Sequence, residues 1–120
     1  MKRDWEIIRN ILLKTEGLVA GKTLRASDFD GTESEIIAYH VQLLKEAELI
    51  DAEILPYLGS SHCHFDIHRL TWTGHDFLDS IRNNNIWEKT KSTILNKSSS
   101  MTFDVIKSVA IKIAMELISS

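Results

Sequence analysis

Apolar residues at the start of the chain recur at helical spacing. Trp5, Ile8, Ile11 and Leu12 share one helix face, and Asp4 stands at a capping position, which predicts a helix over 4–16. Gly17 and Gly21 interrupt the pattern. Residues 22–31 (KTLRASDFDG) then read as a short irregular segment with a small strand at Thr23 to Arg25. A second helix is predicted over 33–47, where Thr32 and Glu35 have the spacing of a capping box. Ile36, Ile37, Tyr39, His40, Leu43, Leu44 and Ala47 combine a core stripe with an outward face on that helix.

The period then changes from helical to alternating. In residues 49–55 (LIDAEIL), Ile50, Ala52 and Ile54 fall on one side, and Asp51 and Glu53 on the other. Pro56 and Gly59 mark a turn region ending near His62. Residues 63–71 alternate again: Cys63, Phe65 and Ile67 on one face, His62, His64, Asp66 and His68 on the other. Two such runs around a polar tip predict a hairpin.

Helical spacing returns after residue 72. Thr73, with Asp76 at the capping-box position, is the expected start of a helix carrying Phe77, Leu78 and Ile81 and ending at Asn83 to Asn85. A short helix at 86–95 is anchored by Ile86, Trp87, Ile94 and Leu95, and residues 96–100 (NKSSS) form a polar linker. The last helix, about 102–118, is apolar on most of its circumference. Phe103, Ile106, Ala110, Ile113 and Leu117 follow the alternating three- and four-residue steps of a coiled-coil seam. The expected organisation is therefore a domain over 1–95, a linker over 96–101 and an oligomerisation helix over 102–120, with a homodimer favoured.

Composition adds constraints. The 120 residues suit one compact domain, and 43% hydrophobic with 26% charged residues is ordinary for a soluble protein. The net charge of −3 opposes strong non-specific nucleic-acid binding without preventing a local basic patch. One cysteine, Cys63, permits no internal disulfide and fits a reducing compartment. The opening Met1, Lys2, Arg3, Asp4, Trp5 lacks a signal-peptide core, and no run is long enough to span a membrane, so the expected location is the cytoplasm.

Helix, short insert, helix, hairpin, helix is the order of a winged helix-turn-helix, an α+β fold with a two-stranded wing hairpin, here followed by additional C-terminal helices. The residues carry the same resemblance. TESEIIAYHVQLLKEAELI (32–50) and RLTWTGHDFLDSI (69–81) resemble the third helix and the post-wing helix entry of small bacterial winged-helix regulators. MKRDW, AYHVQLLKEAELI, RLTWTGHDFLDSIR, the Trp87 helix and FDVIKSVA together resemble a bacterial and prophage family known only as a domain of unknown function. That resemblance implies the fold and a mobile-element setting, and no activity. One departure from the DNA-binding pattern is visible: only residues 22–31 occupy the place of the second helix.

By this resemblance, helix 33–47 would approach a DNA major groove through Ser34, Ala38, Tyr39, Gln42 and Lys45, and the 56–64 wing would touch the backbone through Ser60, Ser61 and His62, with Arg69 beside it. Glu33 and Glu35 at the helix start oppose this, because carboxylates repel phosphate. His62, His64 and His68 lie at strand spacing and have metal-ligand chemistry, but same-face neighbours stand roughly 7 Å apart, so a plain polar face is the simpler reading. Cys63 and His64 point to opposite strand faces and form no dyad; Cys63 reads as a small core residue. The chain has no phosphate-binding glycine loop, nucleophile elbow or zinc-protease helix motif, so neither an enzyme nor a cofactor is expected.

Two functions follow as expectations. One is a dimeric, double-stranded-DNA-binding transcriptional regulator of prophage or mobile-element type. The other is a winged helix used as a protein-interaction module, for example one that binds a host protein. The sign of the charge over helix 33–47 and the hairpin discriminates them.

Overall fold

The structure, a computed structural model, describes residues 2–56 and 63–119. Among them are five helices and one antiparallel hairpin: α1 (Trp5–Glu16), α2 (Ser34–Glu46), β1 (Ile50–Pro56), β2 (Cys63–Leu70), α3 (Trp72–Ile81), α4 (Asn84–Asn96) and α5 (Phe103–Ser119). The class is α+β. The chain forms two compact units, Met1–His75 and Asp76–Ser120.

In the first unit, Asp4 caps α1 as expected, its carboxylate accepting the backbone N–H groups of Glu6 and Ile7. Ile8, Ile11 and Leu12 form the buried face of α1. The 22–31 segment holds no full helix. Leu24 exchanges both backbone hydrogen bonds with Ile67, at 3.0 and 2.9 Å, and a single 3₁₀ turn follows at Ala26–Asp28. Phe29 then packs on Phe65 with ring centroids 6.2 Å apart.

The expected Thr32 cap of α2 gives way to Glu33, which makes no side-chain capping bond. The other end closes without glycine. Glu48 takes a left-handed φ of 62°, Glu48 N–H bonds Lys45 O, and Leu49 N–H bonds Leu44 O. This is a Schellman closure, with Leu44 and Leu49 both buried beneath it.

β1 and β2 pair in the alternating register expected, up to one irregularity. Asp51 faces Arg69 while Ala52 faces Ile67, so His68 is an extra residue in β2. The bulge reverses the alternation: Phe65 and Ile67 point inward before it, Leu70 points inward after it, and Arg69 turns outward. The tip, with Ser60, Ser61 and His62, lies outside the described residues, as does the side chain of Cys63.

In the second unit, Asn83 caps α4 through Asn85 N–H and Ile86 N–H, rather than ending the preceding helix. Trp87, Thr90 and Ile94 form the buried face of α4 and Leu95 is exposed, against the expectation that it anchors the helix. α4 packs on α5. Residues 97–102 connect the two helices. α5 buries Ile106 and Ala110, and Phe103 stacks on Phe77 at 4.5 Å between centroids.

Candidate functional site

α2 buries Ile37, Ala38, His40, Val41 and Leu44. That face is wider than a simple stripe and leaves a narrow outer one. Glu35, Gln42 and Glu46 are exposed at steps of seven and four residues and share that outer face, while Ser34 and Lys45 are exposed near the two ends of the helix. Tyr39 is half-buried, its ring edge-on to His40. Ala38, expected to face a ligand, is in the core instead; its single methyl lets α2 sit close to its neighbours.

His40 is a structural residue. Its Nδ1 donates to Ile36 O at 2.8 Å and its Nε2 accepts from the backbone N–H of Asp4 at 2.8 Å. Only the tautomer with the proton on Nδ1 satisfies both partners. The imidazole thereby ties the start of α1 to the middle of α2.

The charge of this face is negative. Between residues 28 and 48, Asp28, Asp30, Glu33, Glu35, Glu46 and Glu48 are all exposed, against one cation, Lys45. Residues 1–75 as a whole carry twelve Asp and Glu against eight Lys and Arg. The cations on the hairpin side are paired: Arg25 Nε lies 3.2 Å from Asp66, and Arg69 Nη2 2.5 Å from Asp51. These pairs are solvent-exposed and contribute little stability. Each pairing sets a carboxylate beside the cation and so reduces its net contribution to the field.

His68 Nε2 stands 3.4 Å from Glu53, and His64 lies opposite Leu55 in the ladder. Among the described residues, no three His, Cys, Asp or Glu side chains converge as metal ligands. His62, a member of the metal candidate set, lies outside the described residues.

Sequence reasoning missed a second feature, at the entry to α3. The Thr71 hydroxyl donates to Glu48 O at 2.6 Å and accepts from Gly74 N–H at 3.0 Å, while Thr71 N–H bonds Leu49 O at 3.0 Å. Thr71, not Thr73, therefore caps α3. Between these anchors stands Trp72, 81% exposed. It joins Lys45, Glu48, Asp51, Glu53 and His68 around an open groove of about 640 Å³. The signal available in the sequence was the tryptophan itself, two residues after the end of β2.

The expected seam of α5 is largely consumed within the chain. Ile106 and Ala110 are fully buried, Phe103 and Ile113 are half-buried, and only Leu117 is exposed. The exposed apolar residues of α5 are Ile111, Met115, Leu117 and Ile118. No helix among the described residues is long and apolar enough to cross a membrane.

The family described as Hypothetical protein (DUF2513) matches residues 2–100. A relative from Haemophilus influenzae, described as an uncharacterized protein, is 39% identical over 120 residues, which is 99% of this chain and 100% of the relative. No solved structure matches.

Proposed function

The chain belongs to the DUF2513 family of hypothetical proteins, and from that premise we propose that it is a protein-interaction module built on a winged-helix scaffold. The scaffold reading is supported by the order α1, 3₁₀ turn, α2, hairpin, α3. The observation that carries the function is the acidic outer face of α2. A helix entering a DNA groove brings its first turn against phosphates. A carboxylate 6 Å from a phosphate is repelled by roughly 0.7 kcal/mol even in a water-like medium. Glu33, Glu35 and their neighbours add such terms, and Lys45 is the one Lys or Arg in the sequence between residues 28 and 48. The same face is complementary to a basic protein surface.

A DNA-binding regulator is the second reading, favoured by the exposure of Ser34, Gln42 and Lys45 on α2. Parallel selections from a randomised duplex pool and a displayed random-peptide library separate the two. The expected result is enrichment of cationic peptides, lost in the E33K/E35K variant, and no duplex enrichment at low salt. A symmetric duplex motif whose affinity falls with salt overturns the proposal.

The homodimer also becomes a proposal, on a different helix face from the one the seam pattern indicated. Ile111, Met115 and Ile118 are exposed at steps of four and three residues, one continuous apolar stripe on α5. A second copy of the same stripe is its self-complementary partner.

A further inference from the structure

From the groove beside Trp72, and resting on the protein-interaction reading above, we infer that this site receives an arginine side chain of a basic partner segment. The backbone on both sides of the tryptophan is anchored. On one side of it, Thr71 is fixed by its backbone bond to Leu49 O and its hydroxyl bond to Glu48 O. On the other, Gly74 is bonded to the Thr71 hydroxyl and lies against Leu49 O. An indole on so rigid a base is 81% exposed. Large aromatic side chains gain much by burial, and a backbone already anchored does not have to be ordered when a partner covers the ring.

The surrounding charges select the partner. Glu48, Asp51 and Glu53 face Lys45 and His68 around the groove. Asp51 is paired with Arg69 and Glu53 lies near His68, whereas Glu48 has no ion-pair partner among the described residues. The Glu48 backbone is bonded to the residue preceding Trp72, so a carboxylate-bearing residue and the indole belong to one local framework. A guanidinium can stack on an indole face while its edge donates to a carboxylate, which a compact ammonium does less well. A groove of about 640 Å³ suits one or two side chains. The acidic balance of residues 1–75 attracts a cationic segment from a distance.

The test uses the full chain, labelled with ¹⁵N, titrated with blocked hexa-arginine, hexa-lysine and hexa-glutamate peptides. The Trp72 indole signal is identified by its loss in Trp72→Ala, a substitution at an exposed position that leaves the other two indole signals in place. Hexa-arginine is expected to shift the Trp72 indole and the Glu48 and Thr71 amides saturably, with weaker binding of hexa-lysine and none of hexa-glutamate. Trp72→Ala is expected to weaken hexa-arginine binding roughly tenfold and Glu48→Gln about threefold. Equal binding by wild type and Trp72→Ala, or shifts spread evenly over the acidic surface, overturns the site. If that happens while the peptide library still yields binders lost in E33K/E35K, this site alone is wrong. If the duplex pool is enriched instead, the underlying interaction reading falls with it.

Discussion

Gly74 lies so close to the backbone of Leu49 that a Cβ at position 74 would stand 2.0 Å from Leu49 O. The obstacle is a carbonyl in the turn between α2 and β1, and that carbonyl also accepts the Thr71 N–H. It cannot move without breaking the bond that starts α3. Gly74→Ala is therefore expected to destabilise the protein by about 3 kcal/mol, at the upper end for an overpacked site. Urea unfolding followed by circular dichroism measures it. A midpoint within error of wild type would show that the two segments separate freely.

The two threonines of the LTWTG segment are expected to differ. Thr71 bonds both Glu48 O and Gly74 N–H, whereas Thr73 is exposed and holds no capping bond. Thr71→Ala is expected to cost about 1–2 kcal/mol, the range for loss of a helix cap. Thr73→Ala is expected to fall within about 0.5 kcal/mol of wild type. Thermal unfolding of the pair decides it, and the reverse order of stabilities would restore Thr73 as the cap.

These residues show what the sequence made legible. Periodicity located the five α-helices and both strands among the described residues, because the core stripes of α1, α2 and α3 and the alternation of β1 and β2 are local properties. Caps and closures were less visible. Glu48 takes a left-handed conformation usually given to glycine, and Ser98 does the same after α4 at a φ of 54°, so neither helix end carried a stop signal. The His68 bulge was hidden because alternation alone would place Arg69 with Phe65 and Ile67; only pairing with β1 reveals the extra residue. The site suffered most. Helical position alone puts Ala38 on the same line as Ser34 and Gln42, yet its burial depends on what packs over α2. The Trp72 groove joins the end of α2, the hairpin base and the start of α3, which no single window of sequence contains.

His40 provides a test of the packing between α1 and α2. Its ring nitrogens are both engaged, Nδ1 with Ile36 O and Nε2 with Asp4 N–H, and the residue is 1% exposed. Long-range ¹H–¹⁵N correlation at neutral pH is expected to show the Nδ1–H tautomer for this histidine. His40→Ala leaves a cavity and an unpaired N–H at Asp4, and is expected to cost about 2–4 kcal/mol. The Nε2–H tautomer, or a near-neutral alanine variant, would contradict the bridging role.

α5 separates folding from association, because its two apolar stripes have different exposures. Ile106 is fully buried, whereas Met115 is 62% exposed and Ile118 80% exposed. A carboxylate at position 106 would be buried without a partner, so Ile106→Asp is expected to unfold the second unit, with loss of helical ellipticity. Met115→Glu and Ile118→Glu place charges in water in the isolated chain, and their helicity is expected to match wild type. In the dimer proposed above, the same charges would meet their own copies across a two-fold interface. Sedimentation equilibrium is therefore expected to show a wild-type dimer and a monomeric M115E/I118E variant. A double variant that stays dimeric would move the interface away from α5. A wild type that is monomeric at all concentrations would leave the stripe Ile111, Met115 and Ile118 to a different partner.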